Sequence, residues 1–127
     1  MHFSRSKGKL SSSELFTVVY HKDTGGIVGL IKDRTLQPRD AAVLLYLVTK
    51  VNVSSSRISV SPSHIAESVN LSVGMVHSSL KRLRKELVLG KGATDGVPYY
   101  MLNPYYFDAG SPKLHSKRVE TFNKLLA

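Results

Sequence analysis

The chain has 127 residues, 42% of them apolar, with 18 Lys and Arg against 9 Asp and Glu and no cysteine, giving a formal net charge of +9. That length suits one domain able to bury roughly two-thirds of its unfolded surface, and the lack of thiols excludes disulfide scaffolds, thiolate zinc sites and cysteine nucleophiles. The longest apolar run, Ala41 to Leu47, is far too short for a membrane span, and the opening Met1-His2-Phe3-Ser4-Arg5 lacks the apolar stretch of a signal peptide, so a soluble cytoplasmic protein without a membrane partner is expected.

Residues 1–13 carry Arg5, Lys7 and Lys9 without an acid and read as a basic, flexible arm. Glu14 to His21 is rich in β-branched and aromatic residues and reads as a strand, and Lys22 to Gly26 has turn chemistry. Residues 26–34 fit either the return strand of a hairpin or a short helix. A helix is expected from Gln37-Pro38, because proline suits the first helical turn. Ala41, Leu44, Leu45 and Val48 recur there at helical spacing, with Leu47 and Val51 widening the apolar face. Arg57 to Val60 reads as a short strand.

Ser61-Pro62 opens a second helix with inner residues Ile65, Ala66 and Val69. Asn70 can take the left-handed conformation that ends it. Ser72 caps a third helix running to about Glu86. Leu87 to Lys91 and Val97 to Leu102 are β-like runs around the polar tip Gly92 to Gly96, which predicts a hairpin ended by Asn103-Pro104. Of Tyr99 and Tyr100, one should pack inward and the other face out. Ser111-Pro112 starts a last helix over 111–127, with Val119, Phe122 and Leu126 as its stripe. That stripe can dock on the chain itself or form a homodimer.

The order helix, short strand, helix, tight turn, helix, hairpin predicts an α+β, mainly α, fold: a winged helix-turn-helix over 14–110, with an N-terminal strand or hairpin and a C-terminal helix. Stepping the third helix at about 100° per residue puts Leu80, Leu83 and Leu87 within about 40° of Val76 as the buried stripe. Gly74, Ser78, Lys81, Lys85 and, less squarely, Arg82 then point outward, with His77, Arg84 and Met75 on the flanks. Small residues at the N-terminal end allow close approach to base edges, and cations further along suit phosphates.

The charge is segregated in the same way. Lys81, Arg82, Arg84, Lys85 and Lys91 face only Glu86 between Leu80 and Gly92, and the tail from Ser111 holds Lys113, Lys117, Arg118 and Lys124 against Glu120. With the N-terminal run these segments exceed the whole net charge, so the rest of the chain is slightly acidic. The expected partner is double-stranded DNA, with Ser72, Gly74, His77 and Ser78 near base edges and Lys81, Arg82, Lys85 and Lys91 on phosphates. Lys91 can lie on the backbone, enter the minor groove, or simply be solvated. A protein-interaction module with an acidic partner is the alternative. Single-strand binding through Tyr99, Tyr100, Tyr105, Tyr106 and Phe107 is a weaker one.

His2, His21, His64, His77 and His115 show no metal-ligand spacing, and no nucleophile–base pair, phosphate-binding glycine loop or paired carboxylates occur, so neither metal, cofactor nor catalysis is expected.

Val43-Leu44-Leu45-Tyr46-Leu47, the helix-turn-helix, and Tyr100-Met101-Leu102-Asn103-Pro104 followed by Gly110 resemble the winged-helix plasmid and phage replication proteins of the RepL type. The resemblance covers about residues 14 to 112. It implies binding of duplex DNA at a replication origin or an operator.

Overall fold

The computed structural model describes residues 17–19, 27–52, 55–109 and 114–126. The basic arm, the turn Lys22 to Gly26, His2, His21, Gly110 and Ser111-Pro112 lie outside them. The described elements are β1 (Thr17–Val19), α1 (Ile27–Lys32), α2 (Pro38–Val48), α3 (Pro62–Val69), α4 (Val73–Lys85), β2 (Leu89–Thr94), β3 (Val97–Leu102), β4 (Phe107–Ala109) and α5 (His115–Leu126). The fold is mixed and mainly helical. Residues 27–32 take the helical alternative, and β1 pairs antiparallel with the distant β4, Val18 opposite Asp108, rather than with a local return strand. Among the described residues no helix is long and apolar enough to cross a membrane.

Local chemistry sets the helix ends. Pro38 opens α2 and Pro62 opens α3, where the Ser61 hydroxyl accepts from the His64 N–H. Asn70, at φ 57 and ψ 48, is left-handed and ends α3. Two residues later the Ser72 hydroxyl accepts from the Met75 N–H and starts α4. The buried side of α2 is Asp40, Val43, Leu44 and Leu47, whereas Leu45, expected inside, is 63% exposed. Together with Ile65 and Ala66 of α3 and Val76, Leu80 and Leu83 of α4, the apolar three form one core.

Leu87 does not extend the α4 stripe. The helix stops at Lys85, and Leu87 adopts φ 59, which turns its side chain out to solvent. Val88 fills the core in its place, its N–H bonded to the Leu83 carbonyl. Asn103 closes the far end of the hairpin: its side-chain amide donates to the Leu87 carbonyl and its side-chain oxygen accepts from the Tyr105 N–H.

The hairpin is longer than its sequence implies. β2 and β3 pair from Leu89–Leu102 to Thr94–Val97, so Gly92 to Thr94 are strand and the tip is Asp95-Gly96. Both tip residues have positive φ, 52 and 79, the requirement of a two-residue turn matched to strand twist. Arg57 to Val60 makes two isolated bridges rather than a strand, Arg57 with Asn52 and Ile58 with Tyr100, the latter pair exchanging both backbone hydrogen bonds. The next bonded pair would set Val60 against Pro98, which has no N–H to give. On the other side Ser56 has φ 61 and leaves the extended region.

Tyr99 and Tyr100 are both buried, each 8% exposed, because both faces of the hairpin are covered. Tyr100 belongs to the main core. Tyr99 lies under the Arg57 guanidinium, 4.2 Å from the ring centroid, and Arg57 also donates to the Thr94 hydroxyl. α5 packs on β2, and its inner residues are Arg118, Phe122 and Leu125 rather than Val119, Phe122 and Leu126. Phe122 is 2% exposed, whereas Leu126 is 43% exposed. Of the two roles expected for this helix, the described one is docking on its own chain.

Two glycines make that docking possible. A Cβ at Gly90 would sit 3.0 Å from Phe122 Cε1, and one at Gly92 would sit 2.6 Å from the Tyr99 hydroxyl oxygen and 2.8 Å from Leu125 Cδ2. Gly92→Ala is therefore expected to cost about 1–3 kcal/mol by overpacking and to raise amide hydrogen exchange in α5. Unchanged urea stability and exchange would contradict this packing.

Candidate nucleic-acid interface

The orientation of α4 about its own axis decides which side chains face solvent. Val76 and Leu83 are fully buried and Leu80 is 4% exposed, so the opposite side is open. Gly74, Ser78, Lys81 and Lys85 lie on that side and His77 on its flank, all exposed. Ser72 is exposed too, with its hydroxyl engaged as the helix cap. α4 itself carries no acid.

The exposed arc is a ridge between two troughs. On the hairpin side, His77, Lys81 and Arg84 of α4 share a groove of about 560 Å³ with Lys91, Pro98 and Tyr100, lined also by Val60, Pro62 and Leu80. On the α2 side, Ser78, Lys81, Arg82 and Lys85 line an open trough of about 400 Å³ together with Thr35 and one acid, Glu86. Lys81 belongs to both. Lys91 is not at the hairpin tip: it pairs with Tyr100 in mid-strand, with its ammonium 5.8 Å from that ring's centroid. Burial pushes the Tyr100 hydroxyl pKa up, partly offset by the nearby Arg84 charge.

Arg82, expected on phosphate, is ion-paired within the chain. Its Nη1 donates to both carboxylate oxygens of Asp40, at 3.0 and 2.8 Å, and 29% of its side chain is exposed. The fully buried Asp40 also accepts from the Ser79 hydroxyl at 2.6 Å and from the Gln37 N–H at 2.8 Å. Burial pushes this carboxyl pKa up, but the bonds from Ser79, Gln37 and Arg82 outweigh it and hold the pKa below the usual carboxylate range. The charge that Arg82 brings to the trough is thus largely matched.

Two contributors were not singled out from sequence. Arg84 looked like a flank residue, but the hairpin folds toward that flank and makes it a wall of the groove. Thr35 precedes α2 and carries no motif. Tyr99 and Tyr100 offer no open stacking platform, since they are buried against Arg57 and Lys91. Tyr105, 50% exposed, stands edge-on to Tyr106 with centroids 5.0 Å apart.

No family model matches the chain, so the resemblance to RepL-type proteins rests on the quoted phrases alone. No curated protein matches it either. Among solved structures, a possible transcriptional regulator from Methanosarcina mazei Go1 is similar at 18% identity, with 77% of each chain covered and a TM-score of 0.40.

Removing Arg82 would leave a buried carboxylate without its counter-ion. Arg82→Ala is expected to cost about 3 kcal/mol at neutral pH. Because the folded pKa of Asp40 is depressed, this contribution is full above the unfolded value of ~3.9 and is lost as pH falls through the folded pKa. The stability gap between wild type and Arg82→Ala should therefore narrow as pH falls through the acid range in urea titrations, as Asp40 becomes protonated in both proteins. A gap of equal size at neutral and acid pH would contradict the assignment.

Proposed function

We propose that this chain is a non-catalytic, sequence-specific DNA-binding protein of the winged helix-turn-helix kind. In this reading α4 enters the major groove of a duplex and the β2–β3 hairpin acts as the wing. The observation that carries it is the acid-free arc of α4 standing between two cation-lined troughs. A helix seated in a major groove has a phosphate backbone on each side. His77, Arg84 and Lys91 suit one strand, Lys85 and the Ser78 and Thr35 hydroxyls suit the other, and Lys81 can serve either. Short side chains at Ser72, Gly74 and Ser78 leave room for base edges.

The RepL-like phrases extend the proposal to plasmid or phage replication or its transcriptional control. Most of them are scaffold residues: Val43, Leu44 and Leu47 are core, Tyr100, Met101, Leu102 and Pro104 are buried, and Asn103 ties the hairpin to the end of α4. They therefore speak for a shared architecture more than for a shared task.

If Lys81, Arg84, Lys85 and Lys91 each neutralise one phosphate, the logarithm of the affinity for duplex DNA should fall with log salt at a slope of about −4. Lys81→Ala should weaken all duplexes about equally and reduce that slope by about one, whereas Ser78→Ala should change the preference between sequences. Fluorescence anisotropy with labelled duplexes at several salt concentrations reads all three. A protein that leaves duplex DNA unbound at low salt would instead be an interaction module whose basic arc meets an acidic partner. Tighter binding of an equally long single strand would return the tyrosines to consideration.

A further inference from the structure

The first turn of α4 contains two features that the fold itself does not require. Val73 and Met75 expose 41% and 43% of their surface, on either side of Gly74. A Cβ at Gly74 would meet nothing nearer than 4.0 Å, and its backbone is ordinary helix, so neither space nor conformation calls for glycine. A helical glycine is less favourable than alanine, and exposed Val and Met gain little from burial. The result is a low, apolar tip on a helix whose remaining outward side chains are polar or cationic.

We propose that this tip reads thymine methyl groups, so that Val73 and Met75 add to the specificity-determining residues and the bound sites are rich in thymine at the positions they reach. The inference rests on the duplex-binding reading above. Charge complementarity commits the occupant: the same helix is flanked by Lys81, Arg84, Lys85 and Lys91, which fit a polyanion. On the floor of a major groove the thymine C5-methyl is the large apolar group presented; the other edge groups are donors, acceptors or the small cytosine C5–H. The side chains that typically read guanine or adenine, Arg, Lys, Asn and Gln, do not occur between Ser72 and Leu80. Gly74 lets the helix come close enough for aliphatic contact with the methyl on either side.

The test compares the full chain on alternating d(AT) duplexes with the same duplexes carrying deoxyuridine for thymidine, which removes the methyl and leaves phosphates and base pairing in place. Wild type should bind the uracil duplex at least about fourfold more weakly, the worth of one buried methyl group, with the same salt slope. Val73→Ala/Met75→Ala should bind both duplexes alike while keeping the wild-type circular dichroism and melting. Both side chains are exposed, so the variant is expected to fold. Equal binding of the two duplexes by wild type overturns the inference and leaves duplex binding intact. A preference that survives in the double variant also overturns it, since the methyl would then act through DNA shape. No binding of either duplex overturns both this inference and the reading it rests on.

Discussion

The buried carboxylate of Asp40 is the constraint on which the geometry of the basic face depends. It sits in the first turn of α2 and takes hydrogen bonds from its own helix start, from Ser79 and from Arg82. A buried charge is tolerated only when it is matched and its lone pairs are filled. That requirement allows few rotational settings of α4 against α2, whereas apolar contacts between Leu44, Leu47, Val76 and Leu83 tolerate sliding and rotation more readily. With Ser79 and Arg82 turned toward α2, His77, Ser78, Lys81 and Lys85 turn away from the core. The exposed arc is thus the complement of a polar clasp as well as of an apolar stripe.

The hairpin is held on two sides for a related reason. Tyr100 anchors one face in the main core, while α5 and Arg57 cover the other around Tyr99. Gly90 and Gly92 give up side chains so that Phe122 and Leu125 can approach the strand. The outcome is a hairpin fixed at its base, with Lys91 sharing a groove with Arg84, and a turn at Asp95-Gly96 projecting beyond the covered part. A C-terminal helix that looks like a free stripe in sequence is thereby part of what positions the groove.

Features set by neighbouring residues were legible in the sequence. Pro38, Ser61-Pro62, Asn70 and Ser72 mark helix ends through capping and φ restrictions that act within three or four positions, and the structure has those ends. Features set by distant partners were not. Nothing local says that β1 will find β4, or that a second layer will bury the outer face of Tyr99. Asp40 reads as an ordinary first-turn acid favoured by the helix dipole, and only the approach of α4 makes it a buried clasp. The α5 stripe is displaced to Arg118, Phe122 and Leu125 because the docking angle, not the best apolar spacing, chooses the face. In the candidate site the outward arc of α4 followed from helical geometry, but the pairing of Arg82 with Asp40 and the recruitment of Arg84 by the hairpin depended on tertiary placement.

The central claim is that one face of the molecule, the α4 arc with its two troughs, meets duplex DNA. Lysine acetylation footprinting with and without a duplex, read by mass spectrometry, tests it most directly, because exposed lysines lie on several sides of the chain. DNA should protect Lys81, Lys85 and Lys91 and leave Lys32, Lys50, Lys117 and Lys124 reactive. Protection centred on Lys117 and Lys124 of α5, or equal reactivity of every lysine in the presence of saturating duplex, would contradict the account.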